Sequence, residues 1–514
     1  MPSEKPNILF FHVDNLGMGE LGCYGGGILR GADSKHADKF ATEGMKLTHY
    51  VVEPQCTPTR SALMTGRLPI RSGNHTIALG GNAGGIVRWE KTIAEILAEA
   101  GYVSSCLGKW HIGAEDGRWP TDHGFDEWYG PLRTYDECMW LEDPHYVAER
   151  DGYSYMHEGR KGEGVRPILS QQLNLEMKKT CDLEYLKRGK DFMQRSVSAG
   201  KPFFLYFNHS LMHFPMIPRD EFAGKSTNGD WGDCLLMLDH DFGALLDKLD
   251  ELKVADNTIV VYCGDNGAED HLAGRGTGGF FDGSYFSSAE GGIRTPLLIR
   301  WPGRIKPGVE SNEMVHVTDM FTTLLRFVGC VPPDDRIIDG ADQSPFFLGK
   351  QDTSNRDSCM VWLNEELHAV KWKDFKINFK RQQHFHDPEL PLGFARITHL
   401  MEDPKEREPV NQRYVRWWVM QHAHRIVREF EESKRREELI PSGSPLDFVP
   451  RPYARSLCGK LDLIPPMKGE VDHREQSDRW SDGGSFRTHV IAAVHPTRLP
   501  RLKAGVADLP LGDP

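Results

Sequence analysis

The feature that most constrains this chain is an alternation running through its first 350 residues. Short, mostly apolar runs are each followed by a segment with apolar residues at helical spacing. Pro6 to Val13 is such a run, ending at Asp14. A strand with apolar side chains on both faces has to be covered on both, as in a parallel sheet layered between helices. Ala37 to Gly44 then reads as a helix and Lys46 to Val52 as an extended segment. Glu90 to Ala100 carries Ile93, Ile96, Leu97 and Ala100 on one face and stops at Gly101, and Val103 to Leu107 is the next strand. The unit recurs as helical Asp182 to Val197 with strand-like Phe203 to Phe207, and as helical Asp233 to Leu252 with strand-like Thr258 to Cys263. Pro296 to Arg300 and Met320 to Val328 add a further strand and helix. The expected fold is α/β, a large and mostly parallel sheet sandwiched by helices.

The texture changes after Gln351. His368 to Lys380 alternates like an antiparallel hairpin, Val410 to Glu438 reads as a long, highly charged surface helix, and proline, glycine and arginine dominate beyond Pro441. These shifts predict an α/β domain over residues 1–350, a smaller antiparallel-sheet α+β subdomain over 351–450, and an irregular, poorly ordered tail over 451–514. The net charge of −12, with no arginine-lysine run, argues against a nucleic-acid partner. No stretch reaches the roughly 18 apolar residues of a membrane span. The apolar run Ile8 to Val13 is too short for a signal-peptide core and contains His12, so a cytoplasmic location is expected, and the acceptor-like sequences at Asn74 and Asn208 carry no weight. The ten cysteines are scattered singly, without a CxxC pair, which reads as reduced thiols.

The chemistry concentrates at Cys56-Thr57-Pro58-Thr59-Arg60, followed by Ser61-Ala62-Leu63-Met64-Thr65-Gly66-Arg67. This stretch closely resembles the signature of type I sulfatases, members of the alkaline-phosphatase-like superfamily. The resemblance implies that a modifying enzyme oxidises Cys56 to formylglycine during maturation. The hydrated aldehyde is a geminal diol: one hydroxyl attacks sulfur, and the other then collapses to the aldehyde and expels sulfate by C–O cleavage. A serine could form the sulfated intermediate but has no such release route.

Other motifs stand where this chemistry needs them. Asp14-Asn15 ends the first strand and Asp265-Asn266 ends another, and ligands of an open parallel sheet collect at the carboxyl ends of strands. Their four oxygen-bearing side chains, with modified Cys56, suit a hard divalent cation, Ca²⁺ or Mg²⁺. Gly108-Lys109-Trp110-His111 resembles the family segment that supplies a lysine and a histidine to the sulfate pocket. The resemblance implies that Arg60 belongs to that pocket, that Lys109 neutralises a sulfate oxygen, and that His111 takes the diol proton. His213, in Met212-His213-Phe214-Pro215, matches the histidine that protonates the leaving oxygen, with His209 as its support. Glu290-Gly291-Gly292 and His123-Gly124-Phe125-Asp126 read as scaffold, Arg294 as one half of a structural ion pair, and Glu402-Asp403-Pro404 as the close of the small sheet. The resemblance covers approximately residues 6–410.

Two positions depart from the family pattern. Asn15 stands where a second aspartate is usual, and Tyr285 stands where a second sulfate-binding lysine is usual, with Arg275 the nearby candidate to replace it. The expected activity is hydrolysis of a small-molecule sulfate ester. The competing readings are a phosphonate or phosphate ester hydrolase of the same superfamily, against which Asn266 speaks because those enzymes usually carry a histidine there, and an inactive binder of sulfate esters.

Overall fold

The computed structural model describes residues 5–77, 84–270, 276–407 and 412–451, all within one compact unit, Met1–Arg455. The expected tail beyond Arg451 and the candidate Arg275 lie outside the described residues. The described strands are β1 Asn7–Val13, β2 Met45–Leu47, β3 Tyr50–Val51, β4 Val103–Leu107, β5 Glu127–Pro131, β6 Tyr155–Arg160, β7 Gly164–Gln172 and β8 Phe203–His209. They continue with β9 Thr258–Gly264, β10 Leu297–Arg300, β11 Val309–Ser311, β12 Val315–His316, β13 Ser358–Leu363, β14 Glu366–Trp372, β15 Phe375–Arg381 and β16 Leu390–His399.

Ten strands form one sheet in the order β11-β2-β10-β9-β1-β8-β4-β5-β6-β7. Its centre is parallel, with Ile8 registered between Phe204 of β8 and Ile259 of β9. Side chains of β1 alternate between two cores. Ile8 and Phe10 join the layer holding the helices Cys56–Thr65, Ile93–Glu99 and Val317–Phe327, whereas Leu9, Phe11 and Val13 join that of Lys35–Glu43, Leu175–Ser198 and Gly229–Glu251. Burial on both faces is the physical reason that the run has no polar alternation. β13 to β16 form a separate antiparallel sheet of four strands.

The structure differs from the sequence reading at three places. β10 runs antiparallel to both β9 and β2, so the strand expected at Pro296 to Arg300 exists but reverses direction. β5, β6 and β7 extend one edge where no strand was expected; β7 is mostly exposed and so has no apolar pattern to read. Val410 to Glu438 is not one helix. Trp417–Val419 forms a 3₁₀ turn before the helix Met420–Ser433. In a continuous α-helix at 100° per residue, Trp418 would point about 160° away from Met420. The tighter turn lets Trp418 sit edge-on to Trp372 and Phe375 while Met420, Ala423, Ile426 and Phe430 pack on Val370, Ile377 and Ile397. This helix therefore has a buried face and is not a wholly solvated one. Among the described residues no helix is long and apolar enough to cross a membrane.

Candidate active site

The site is assembled at the carboxyl ends of β1, β4, β8 and β9, neighbours in the parallel centre of the sheet. The cysteine signature opens a helix, Cys56–Thr65, whose every residue is buried. Pro58 falls in its first turn, where a missing N–H costs nothing. Arg60 follows Cys56 by four residues and so shares its helix face. Gly66 closes the helix in a left-handed conformation, and Arg67 turns away to pair with Glu90 at 3.1 Å and the Ile337 carbonyl at 2.7 Å. The signature thus has a chemical half and a scaffold half.

Arg60 is enclosed by acceptors. Its Nη1 donates to the Lys109 carbonyl (2.9 Å) and to Asn208 Oδ1 (2.7 Å), and its Nη2 donates to Asp265 Oδ2 (2.8 Å), with Asp14 Oδ2 at 3.4 Å. Lys109 Nζ donates to Asp14 Oδ2 (3.0 Å) and reaches Cys56 Sγ at 3.3 Å and Thr134 Oγ1 at 3.5 Å. His111 Nδ1 lies 3.3 Å from the same sulfur, and its buried Nε2 has no partner. The glycine ahead of this segment is required: a Cβ on Gly108 would stand 2.1 Å from the Asn208 carbonyl oxygen, and its φ is +87°.

The charges explain which groups are ionised. Burial pushes the Cys56 thiol up to about 11, although Lys109 opposes it, so the unmodified thiol is protonated at neutral pH and a weak nucleophile. Burial also disfavours the Asp14 carboxylate, but Lys109, His213 and Arg60 outweigh it and hold Asp14 well below the usual carboxylate range. Asp265 is displaced upward by burial and by the Asp14 charge beside it. His111 is held well below its ordinary value by burial, then by Lys109 and Arg60, and is therefore neutral.

Two carboxylates facing two cations leave the site without net charge, and open acceptors remain. Asp14 Oδ1 and Asn266 Oδ1 are buried without partners, and ligand atoms of Asp14, Cys56 and Asp265 lie within 4.8 Å of one another. Unpaired buried acceptors beside an acid pair fit a divalent cation, which satisfies the acceptors and relieves the acid–acid repulsion. Asn15 is placed differently from the rest: its backbone N–H donates to Asp265 Oδ1 (3.0 Å), its Oδ1 accepts from Asn266 Nδ2 (2.6 Å), and its own Nδ2 is unpartnered.

His213 stands at the rim of this group. Its Nδ1 donates to the Phe214 carbonyl (2.7 Å), and its Nε2 is 3.0 Å from Thr134 Oγ1. His209 is buried behind it, 3.2 Å from Asp241 Oδ2, and its Nδ1 accepts from the Leu211 N–H, which braces the turn leading to His213. Arg294 pairs with Glu290 at 3.1 Å, and Lys371 and Lys376 of the small sheet reach the same carboxylate at 2.7 and 3.3 Å. A Cβ on Gly267 would meet the Gly291 carbonyl oxygen at 2.0 Å, so the Asp265 loop also packs directly on this scaffold.

Sequence reasoning missed two residues of the site. Asn208, at the end of β8, orients Arg60, and Thr134 bridges Lys109 and His213. Asn208 had a readable signal, a polar residue closing the apolar run Phe203 to Phe207; Thr134 had none. Asn74 and Asn208 are both buried, which removes them as surface acceptors. A cavity of 510 Å³ opens beside Thr57 and His111 and is also lined by Asn74, Glu115 and Arg133. A second cleft of 390 Å³ around Tyr129, Arg160 and Arg188 contains none of these site residues.

The fold is alkaline-phosphatase-like, and the class it defines with its relatives is a sulfuric ester hydrolase. The family model named Sulfatase matches residues 6–330, and that of the N-sulphoglucosamine sulphohydrolase C-terminal region matches residues 276–433. N-acetylgalactosamine-6-sulfatase of Canis lupus familiaris is 33% identical, over 90% of this chain and 93% of its own length. Arylsulfatase A of Homo sapiens is 33% identical over 79% and 83%. The PsFucS1 sulfatase of Pseudoalteromonas sp. superposes with a TM-score of 0.79 at 28% identity, over 85% of this chain and 92% of that one. The chain belongs to the sulfatase family.

Proposed function

We propose that this protein hydrolyses organic sulfate esters through a geminal diol formed from Cys56, which a modifying enzyme first converts to formylglycine. The observation that carries the reading is the convergence of Arg60, Lys109 and His111 with Cys56 at the head of one buried helix. The helix N-terminus and the two cations favour an anion at that point. One diol hydroxyl attacks sulfur, giving its proton to the Asp265 carboxylate beside it, as the ester oxygen leaves with a proton from His213. His111, being neutral, takes the proton of the second hydroxyl, whose collapse to the aldehyde expels sulfate. Arg60 is aimed by Asn208 and by its acid partners and offers charge without changing place.

Asp14, Asn15, Asp265, Asn266 and modified Cys56 would hold Ca²⁺ or Mg²⁺. The bound cation would supply positive charge to the diol and the sulfate oxygens. Asn15 makes the ligand set testable apart from turnover. In Asn15→Asp, an oxygen would stand where the unpartnered Nδ2 now stands, adding one negative charge to the set. Metal affinity, read by competition with a coloured chelator, is expected to rise by roughly an order of magnitude. Unchanged or weaker affinity would remove Asn15 from the ligand set.

The reaction class is tested by comparing 4-nitrophenyl sulfate with an aryl phosphonate on protein whose Cys56 peptide has the mass of the aldehyde. Sulfate ester turnover should dominate by at least about a hundredfold, since transition-state charge is what the site recognises. Preference for the phosphonate would favour the alternative hydrolase.

A further inference from the structure

We infer that Tyr285 is a specificity-determining residue: its hydroxyl donates an uncharged hydrogen bond to the bound sulfate ester, and its ring, with Phe286 and Phe385, forms the wall on which the ester's own ring packs. The inference rests on the sulfatase reading and narrows it to a substrate class. That class is rings bearing one sulfate, with no second anionic group next to the scissile ester.

Tyr285 sits on the seam of the site. Its N–H donates to the carbonyl of Ala268, three residues after Asp265, and the N–H of Phe286 donates to the carbonyl of Pro54, two residues before Cys56, both at 3.0 Å. Tyr285 is only 7% exposed, yet no hydrogen bond among the described residues ends on its hydroxyl. The ring is buried but the hydroxyl itself is not sealed off, so an incoming ligand can reach it and take its hydrogen bond. Burial drives the phenol well above its ordinary value, and Cys56, Glu269, Asp14 and Asp136 push the same way. It therefore remains O–H at neutral pH and faces an anion as a donor.

The ring is fixed by its neighbours. Phe286 stands edge-on at 4.5 Å, Phe385 lies nearly parallel at 6.0 Å, and Phe286 and Phe385 meet at 4.6 Å. Phe286 holds φ at +63°, a conformation a bulky residue keeps only where its surroundings enforce it. A rigid aromatic face suits the apolar side of a sugar or aryl ring.

Among the described residues, two acids stand near this wall. Glu269 Oε2 accepts from the Phe214 N–H at 2.8 Å, beside His213, and Asp136 Oδ1 lies 3.9 Å from His213 Nε2. Arg60 and Lys109 lie around Cys56, so these two cations serve the scissile group while Glu269 and Asp136 stand on the outer side. A second sulfate or a carboxylate on the substrate ring would meet those acids, and like charges brought together in this way discriminate against it.

Two esters of one hexosamine decide the matter, one carrying a single 6-sulfate and one carrying a second sulfate on the neighbouring 4-hydroxyl. The unchanged enzyme should prefer the monosulfated sugar by about tenfold or more in kcat/KM. Tyr285→Phe should lower kcat/KM for the monosulfated sugar by about tenfold, chiefly through KM, with metal content and Cys56 conversion unaltered. Tyr285→Lys should narrow or reverse the preference. Equal turnover of both sugars by the unchanged enzyme would overturn the inference, as would an unaltered kcat/KM in Tyr285→Phe; the first measurement needs no variant to fold. Failure of the converted enzyme to hydrolyse either sugar or 4-nitrophenyl sulfate would instead sink the sulfatase reading beneath it.

Discussion

Cys56→Ser is expected to release the alcohol of a sulfate ester once per molecule and then stop. A serine hydroxyl occupies the same position at the head of the helix Cys56–Thr65, with Lys109 and His111 around it. It can attack sulfur, but the sulfated serine has no geminal hydroxyl with which to expel sulfate. The protein should accumulate a peptide heavier by one SO₃ group, and steady turnover should fall below detection. Cys56→Ala should lose even the first turnover. Neither change touches the scaffold, because Cys56 contributes a small side chain at a position whose partners are Lys109 and His111 rather than the core. Sustained turnover by the serine variant would exclude the two-hydroxyl route. The unconverted wild-type thiol, pushed up to about 11 by burial, should be as inactive as the alanine variant at neutral pH.

How far this site could be read from sequence depends on how each residue is specified. Cys56 and Arg60 are legible because a helix makes a spacing of four into a shared face, and that relation needs no tertiary information. Asp14 and Asp265 are legible because each ends an apolar run, and a parallel sheet brings the ends of its strands to one edge. Thr134 follows no such rule. It reaches Lys109 and His213 only because the segment after β5 passes over the end of β4, and β5 itself has no apolar periodicity to announce it. Tyr285 is an intermediate case: its place relative to Glu290 could be counted, but its partners Phe286 and Phe385 come from segments about a hundred residues apart. In the same way β10 could be recognised as a strand while its direction could not, because an apolar run is the same read either way.

His213→Ala should slow the hydrolysis of alkyl or sugar sulfates by about 10²–10⁴-fold while slowing 4-nitrophenyl sulfate far less. An alkoxide cannot leave unprotonated, whereas a nitrophenolate is stable enough to do so. The geometry fits the role of acid. His213 Nδ1 donates to the Phe214 carbonyl at 2.7 Å, which leaves Nε2 as the nitrogen that exchanges its proton with the substrate. Nε2 lies 3.0 Å from Thr134 Oγ1 and 3.9 Å from Asp136 Oδ1, so this nitrogen has a hydroxyl and a carboxylate beside it. His111→Ala should give the opposite signature. Its Nδ1 is 3.3 Å from Cys56 Sγ, on the side of the nucleophile, and the alcohol has already departed when the diol collapses. Its loss should therefore slow sulfate release to a similar degree for every leaving group and let the sulfated enzyme accumulate. Plotting kcat of each variant against leaving-group pKa separates the two roles: a steeper slope for His213→Ala, and a lowered, flat line for His111→Ala because sulfate release is the same step for every ester. A line for His213→Ala lowered but parallel to that of the unchanged enzyme would reduce that histidine to a residue that positions the sulfate, and the acid would have to be sought elsewhere at the rim.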